Sequence, residues 1–179
     1  MQRREIPPDD LVLPSARVWS ERSLLLAAGD FSSGVFNVMT VGWGSFGVMW
    51  AQPFALVVVR PTRHTFQFME KYPTFTLSVF PADRRDVISY CGSHSGRDGD
   101  KVKACGLTPQ KGRVVEAPVF AEAELVVECR TIYKDDFDPT RFVDKAIDTH
   151  YPKKDYHRVY YGSIVAASGT DAWRRKEQS

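Results

Sequence analysis

Six stretches rich in β-branched and aromatic residues, bounded by Gly, Pro or Asp, run through this chain with no long amphipathic helix between them. They are Arg17 to Ala28, closed by Gly29-Asp30, then Phe36 to Trp43, Phe54 to Val59, Thr74 to Phe80, Glu124 to Tyr133 and Arg158 to Ala167. Helical pieces are short: Thr65 to Lys71, Arg84 to Tyr90, Asp98 to Cys105 with Gly106 as its stop, and a turn over Pro139 to Lys145. Parallel strands need a long crossover, usually a helix, for each return. The pattern therefore argues against a doubly wound sheet and predicts an antiparallel barrel with short helices packed outside it, all-β to α+β in class. A chain of 179 residues suits one domain. Its core is expected over about residues 17–168, with extended or frayed ends, where Trp173 is placed to anchor part of the polar tail TDAWRRKEQS.

Charge and cysteine usage narrow the function. Twenty-four basic against 22 acidic side chains give a net +2, and neither sign forms a block, so no nucleic-acid surface is expected. Cys91, Cys105 and Cys129 are an odd set without a CxxC pair, and no apolar stretch follows the opening MQRREIPPDD, which points to the reducing cytoplasm. No run approaches the ~18 apolar residues of a membrane span, so a membrane role is not expected. The four histidines lack metal-ligand spacing, no GxSxG elbow occurs, and the cysteines are expected to pack as small apolar groups.

Three segments remain as candidates for binding. Gly42-Trp-Gly-Ser-Phe-Gly47 matches GxGxxG formally, but a dinucleotide fingerprint needs a helix opening at the glycines and an acidic residue about 20 positions on. Here VMWAQP follows instead, and the later positions are Arg, His, Thr and Phe. The same region reads better as a loop between strands that gathers Asn37, Thr40 and Trp43 beside a flat heteroaromatic ring, or simply as a glycine-rich hairpin over a Trp-capped core. Arg60-Pro-Thr-Arg-His-Thr65 joins a buried-looking strand to a short helix, which suits an anion or a plain Thr-capped helix start. Ser93 to Lys101, SHSGRDGDK, is either a capped surface turn or a phosphate cradle of Ser95, Arg97 and Lys101. The cradle works only if Asp98 and Asp100 face away, toward helix amides or Lys103.

Taken in order, NVMTVGWGSFG, VVVRPTRHT, FTLSVF, YCGSHSGRDGDKVKACGLTP and APVFAEAELVVECR resemble the flavin reductase-like family, most closely its flavoredoxin-like branch, over roughly Ser32 to Cys129. That resemblance implies an FMN-binding split β-barrel, antiparallel with Greek-key connections, working as a homodimer. It places Asn37, Met39, Thr40, Val41 and Trp43 at the flavin ring. It places Arg60, Arg63, Thr65, Ser93, Ser95, Gly96, Arg97 and Lys101 at the phosphate and ribityl chain. FAD suits one clear phosphate site less well than FMN. The implied activity is NAD(P)H-dependent flavin reduction, with hydride from NADH or NADPH passing to flavin N5 and no protein nucleophile required. The alternative is an electron carrier that keeps its FMN, and a redox protein or an oxygenase is the implied partner. His64 stands where family members often carry Tyr, and Val102 where they often carry Phe.

Overall fold

The computed structural model describes residues 2–176, so the last three residues of the polar tail lie outside the described residues. Along the chain come β1 (Arg4–Ile6), α1 (Ser15–Arg17) running into a π turn (Val18–Arg22), β2 (Leu24–Asp30), β3 (Val35–Val41), β4 (Gly44–Met49), β5 (Gln52–Val59) and α2 (His64–Lys71). Next are β6 (Thr74–Val79), α3 (Arg85–Ser93), α4 (Lys101–Ala104), β7 (Pro109–Gln110), β8 (Val119–Phe120), β9 (Leu125–Asp136) and β10 (Arg158–Gly169). One antiparallel sheet runs in the order β3-β2-β6-β9-β10-β5-β4, with β1 added beside β10, while β7 and β8 pair separately.

The two ends of that ladder, β3 and β4, are consecutive in the chain and joined only by Gly42 and Trp43. Three residue steps span no more than about 11 Å, so the sheet must roll until its ends meet at this corner. No ladder joins β3 to β4 among the described residues, which leaves the rolled wall split along that seam. This is the antiparallel split-barrel arrangement expected.

The uninterrupted run LLLAA in β2 has a packing cause. Leu24, Leu26 and Ala28 face the barrel interior with Val57, Phe75, Leu77, Val127 and Tyr160. Leu25 and Ala27 face outward into a second core under α3, with Val87, Cys91, Leu107 and Phe120. A strand buried on both faces has no reason to alternate with polar residues.

Several boundaries differ from expectation. The strand expected over Arg17 to Ala28 begins only at Leu24. Its first half is helical, with Arg17 paired to Glu21 one turn on, and it ends where Ser23 takes a left-handed φ of 53°. The Gly-rich segment after Trp43 is not a loop but strand β4, which returns to β5 through Trp50-Ala51, both at positive φ (52° and 57°). The helix expected over Asp98 to Cys105 is cut to Lys101–Ala104 because the Asp100 carboxylate accepts from the Lys103 amide and caps it there, while Gly106 at φ 59° ends it as expected. Pro139 to Lys145 holds a 3₁₀ turn over Pro139–Arg141, and a second follows at Lys145–His150. Both ends are more ordered than expected: Arg4–Ile6 pair with Gly169–Ala167, and buried Trp173 exchanges backbone contacts with the Leu11–Val12 segment.

Candidate functional site

The free edge of β3 borders a cleft walled by the start of α2 and by the turn from α3 to α4. Asn37, Met39, Thr40, Arg63, Thr65, Ser93, Ser95, Gly96, Arg97 and Lys101, ten of the residues singled out in the sequence, line it. The space holds about 140 Å³. It continues into a cleft of about 210 Å³ lined by Met39, Thr40, Val41, Trp43, Arg60, Arg63 and His157. Together the two reach the lower end of the ~300–1,000 Å³ typical of small-molecule sites.

Lys101 is the most informative side chain of the first cleft. It is 5% exposed, and among the described residues its Nζ reaches only the carbonyl of Cys91, at 3.3 Å. Burial pushes its ammonium below the usual lysine range. Among the described residues no ion pair involves Lys101, Arg97 or Arg63. The two guanidiniums donate only to backbone carbonyls, Arg97 to Thr62 at 3.2 Å and Arg63 to Gly92 at 3.5 Å. Among the described residues no carboxylate lines the cleft; neither Asp98 nor Asp100 reaches it, and Asp100 is turned away into its cap. A buried ammonium with no counter-charge is costly, and an anion from outside the chain would relieve it.

Small residues shape the floor. A Cβ on Gly96 would lie 2.1 Å from Oδ1 of Asn37 and 3.1 Å from Cδ2 of His64, so only glycine lets this turn close over β3. Asn37 is itself buried and donates to the Thr65 hydroxyl at 2.7 Å, which locks the strand edge to α2. Thr65 is therefore occupied as an anchor, where the sequence suggested a helix cap. Thr40 donates to the Ile88 carbonyl at 2.6 Å and ties the same edge to α3. The Ser93 hydroxyl donates back to the Ser89 carbonyl at 2.8 Å, and the Ser95 hydroxyl accepts from the Arg97 amide at 3.1 Å. Cys91 lies beneath, its thiol pushed up to about 12 by burial and 3.9 Å from the Cys105 sulfur, in keeping with an apolar packing role.

Arg60 does not join the Lys101 cluster. Its guanidinium pairs with Asp155 at 2.7 Å, donates to the His150 carbonyl at 2.8 Å and lies over the Tyr151 ring, at the far wall of the second cleft. Half-exposed Trp43 stands there against His150 and His157, with ring centroids 5.4 and 5.2 Å away. His157 is buried, holds the Tyr151 hydroxyl at 2.8 Å, and is pushed down to about 4 by burial and then by Arg60. It is therefore neutral at physiological pH. Sequence reasoning missed His150, Tyr151, Asp155 and His157. They come from the long connection between β9 and β10, which carries no motif of its own. The one available signal was its length, since a segment of that size without strands tends to be functional.

The chain matches the flavin reductase like domain over residues 23–172. It is 30% identical over 135 residues to an uncharacterized protein of Pyrococcus abyssi (strain GE5 / Orsay), covering 74% of this chain and 75% of the relative. Among solved structures it is similar to the flavoredoxin of Desulfovibrio vulgaris (Miyazaki F), with a TM-score of 0.65 at 21% identity, over 90% of this chain and 73% of that one. An FMN-binding protein from Thermus thermophilus gives 0.66 at 21% identity, over 87% and 76%. These likenesses agree with the rolled, split sheet, and the domain match spans both clefts. On that ground the chain belongs to the flavin reductase-like family.

Proposed function

We propose that this protein binds flavin mononucleotide and acts as an NAD(P)H-dependent flavin reductase. The observation that carries the reading is Lys101, a buried cation with no counter-charge among the described residues, in a cleft it shares with Arg63 and Arg97 and that none of the described acids lines. Lys101, Arg97 and Arg63, with the Ser95 hydroxyl and the backbone around Gly96, hold the phosphate. Asn37, Met39, Thr40, Val41 and Trp43 flank the ring in the adjoining cleft. One anion cleft fits a single phosphate, which favours FMN over FAD. When bound, flavin would supply the redox chemistry, that of a hydride acceptor for a reduced nicotinamide. The side chains lining the clefts would orient it, and neutral His157 lines the adjoining cleft without adding charge. Among the described residues no helix is long and apolar enough to cross a membrane.

A homodimer, a cytoplasmic location and a redox protein or oxygenase as final acceptor complete the proposal. The likeness to a flavoredoxin supports a second reading, an electron carrier that retains FMN and is reduced by a protein partner. Stopped-flow mixing of the FMN-loaded protein with NADH or NADPH separates them: rapid bleaching near ~450 nm is expected for the reductase. Slow bleaching by both nucleotides with fast reduction by a redox protein would favour the carrier. Purified protein that neither carries nor takes up FMN would sink both. Trp43→Ala is expected to alter the absorption or fluorescence of the bound flavin, and an unchanged spectrum removes Trp43 from the ring site.

A further inference from the structure

His64 opens α2 inside the cation-lined cleft, where it has no evident packing duty that requires an imidazole. The groups facing it are Arg63 on its own segment, His94 at the end of α3, and Arg97 and Lys101 on the turn and on α4. Among the described residues no acid lines this cleft; Asp100 caps α4, and Asp155 pairs with Arg60. The His64 ring stands edge-on to Phe68, with centroids 5.3 Å apart, and its Cδ2 edge faces the Gly96 turn. Its Nδ1 lies 2.8 Å from the Gln67 side-chain amide nitrogen, which donates to it, so the neutral ring keeps its proton on Nε2.

We infer that His64 is a phosphate-sensing residue: a phosphate dianion held in this cleft draws a proton onto Nδ1, so retention of FMN strengthens as pH falls toward neutrality, while flavin lacking the phosphate shows no such dependence. This rests on the flavin reading above. The proton comes from solvent. It is accommodated because Gln67 is exposed and can turn its amide to present the carbonyl oxygen to the new N–H. Without an anion, burial and then the Arg97 and Lys101 charges hold His64 below its ordinary range, so it is neutral at pH 7. A dianion offsets the repulsion from the same cations and raises the imidazole. Binding then takes up a proton wherever the pH lies between the two values, and affinity must rise as pH drops through that window. The effect is read above pH ~6.5, where a phosphate monoester is largely dianionic.

The test is fluorescence titration of the whole protein with FMN and with riboflavin between pH 6.5 and 8.5, alongside calorimetry in two buffers of different ionisation enthalpy. Expected is an FMN Kd about 3–10-fold tighter at the acid end, net uptake of a fraction of a proton, and a flat riboflavin curve. His64→Gln should flatten the FMN curve and abolish the uptake, and Gln67→Leu should blunt both while preserving affinity at pH 8.5. His64→Asn serves if the first variant melts early. FMN binding with no pH slope, or a slope that survives in His64→Gln, overturns the inference and leaves the flavin reading standing. No FMN binding at any pH overturns the flavin reading itself.

Discussion

Lys101→Met is expected to weaken FMN binding by about 10–150-fold, the loss of a charged hydrogen-bond partner worth ~1.5–3 kcal/mol. The same change should leave the ligand-free protein at least as stable as wild type. Both halves follow from one fact: among the described residues, the ammonium is buried against a single carbonyl with no acid beside it. Held there without a ligand it costs desolvation, and an isosteric apolar chain removes that cost. Fluorescence titration with FMN gives the first number, and a thermal melt of flavin-free protein gives the second. A variant that binds FMN as tightly as wild type would show that the anion sits elsewhere. One that loses both affinity and stability would make Lys101 a structural residue.

Phe75→Ala should cost ~3–5 kcal/mol, the usual penalty for emptying a fully buried aromatic site. Phe75 lies in β6, pairs across to Ala28 and Cys129, and has no exposed surface. Its ring fills the space left by Gly162 on β10, where even a Cβ would come within 2.6 Å of it. Neighbours on several strands cannot all relax into the hole, and a domain of this kind holds only ~5–15 kcal/mol in total. Urea unfolding should show an earlier midpoint with little change in slope. A loss under ~1 kcal/mol would mean that the rolled sheet is less tightly packed than described.

The strands that were legible in the sequence are those whose composition matches their burial. β2 reads as a strand because it is apolar on both faces, β6 because Phe75, Leu77 and Val79 alternate with Thr74, Thr76 and Ser78, and β10 because VYYGSIV is β-branched and aromatic around one glycine. β4 was missed because its partner is reached through Trp50-Ala51, a turn at positive φ without the Gly or Asn that usually marks one. The segment before β2 was misassigned because the same apolar residues, Val18 and Trp19, serve a helical turn as readily as a strand, and the exposed Arg17–Glu21 pair that accompanies the turn is a weak signal.

The site divides the same way. Ser95, Gly96, Arg97 and Lys101 lie within a few positions of one another, so local chemistry betrayed them. Their relation to Asn37 depends on a turn closing over a strand edge, which no spacing rule reports. Arg60 looked equivalent to Arg63, three residues on, yet Asp155 claims it from a distant loop. Charge in the sequence does not say which cations the fold will leave unpaired, and the cleft is made of those left over.

The place of β10 bears on how the chain comes to be folded at all. It is the last long strand synthesised, yet it lies in the middle of the ladder, hydrogen-bonded to β5 on one side and β9 on the other, while its end receives β1. A nascent polypeptide lacking it would hold β4 and β5 apart from β2, β6 and β9 as two unsatisfied fragments. Those long-separated pairings tend to make folding slow, and such half-built sheets expose open edges that invite aggregation. Emergence of β10 itself, rather than of the first strands, is when this barrel can close.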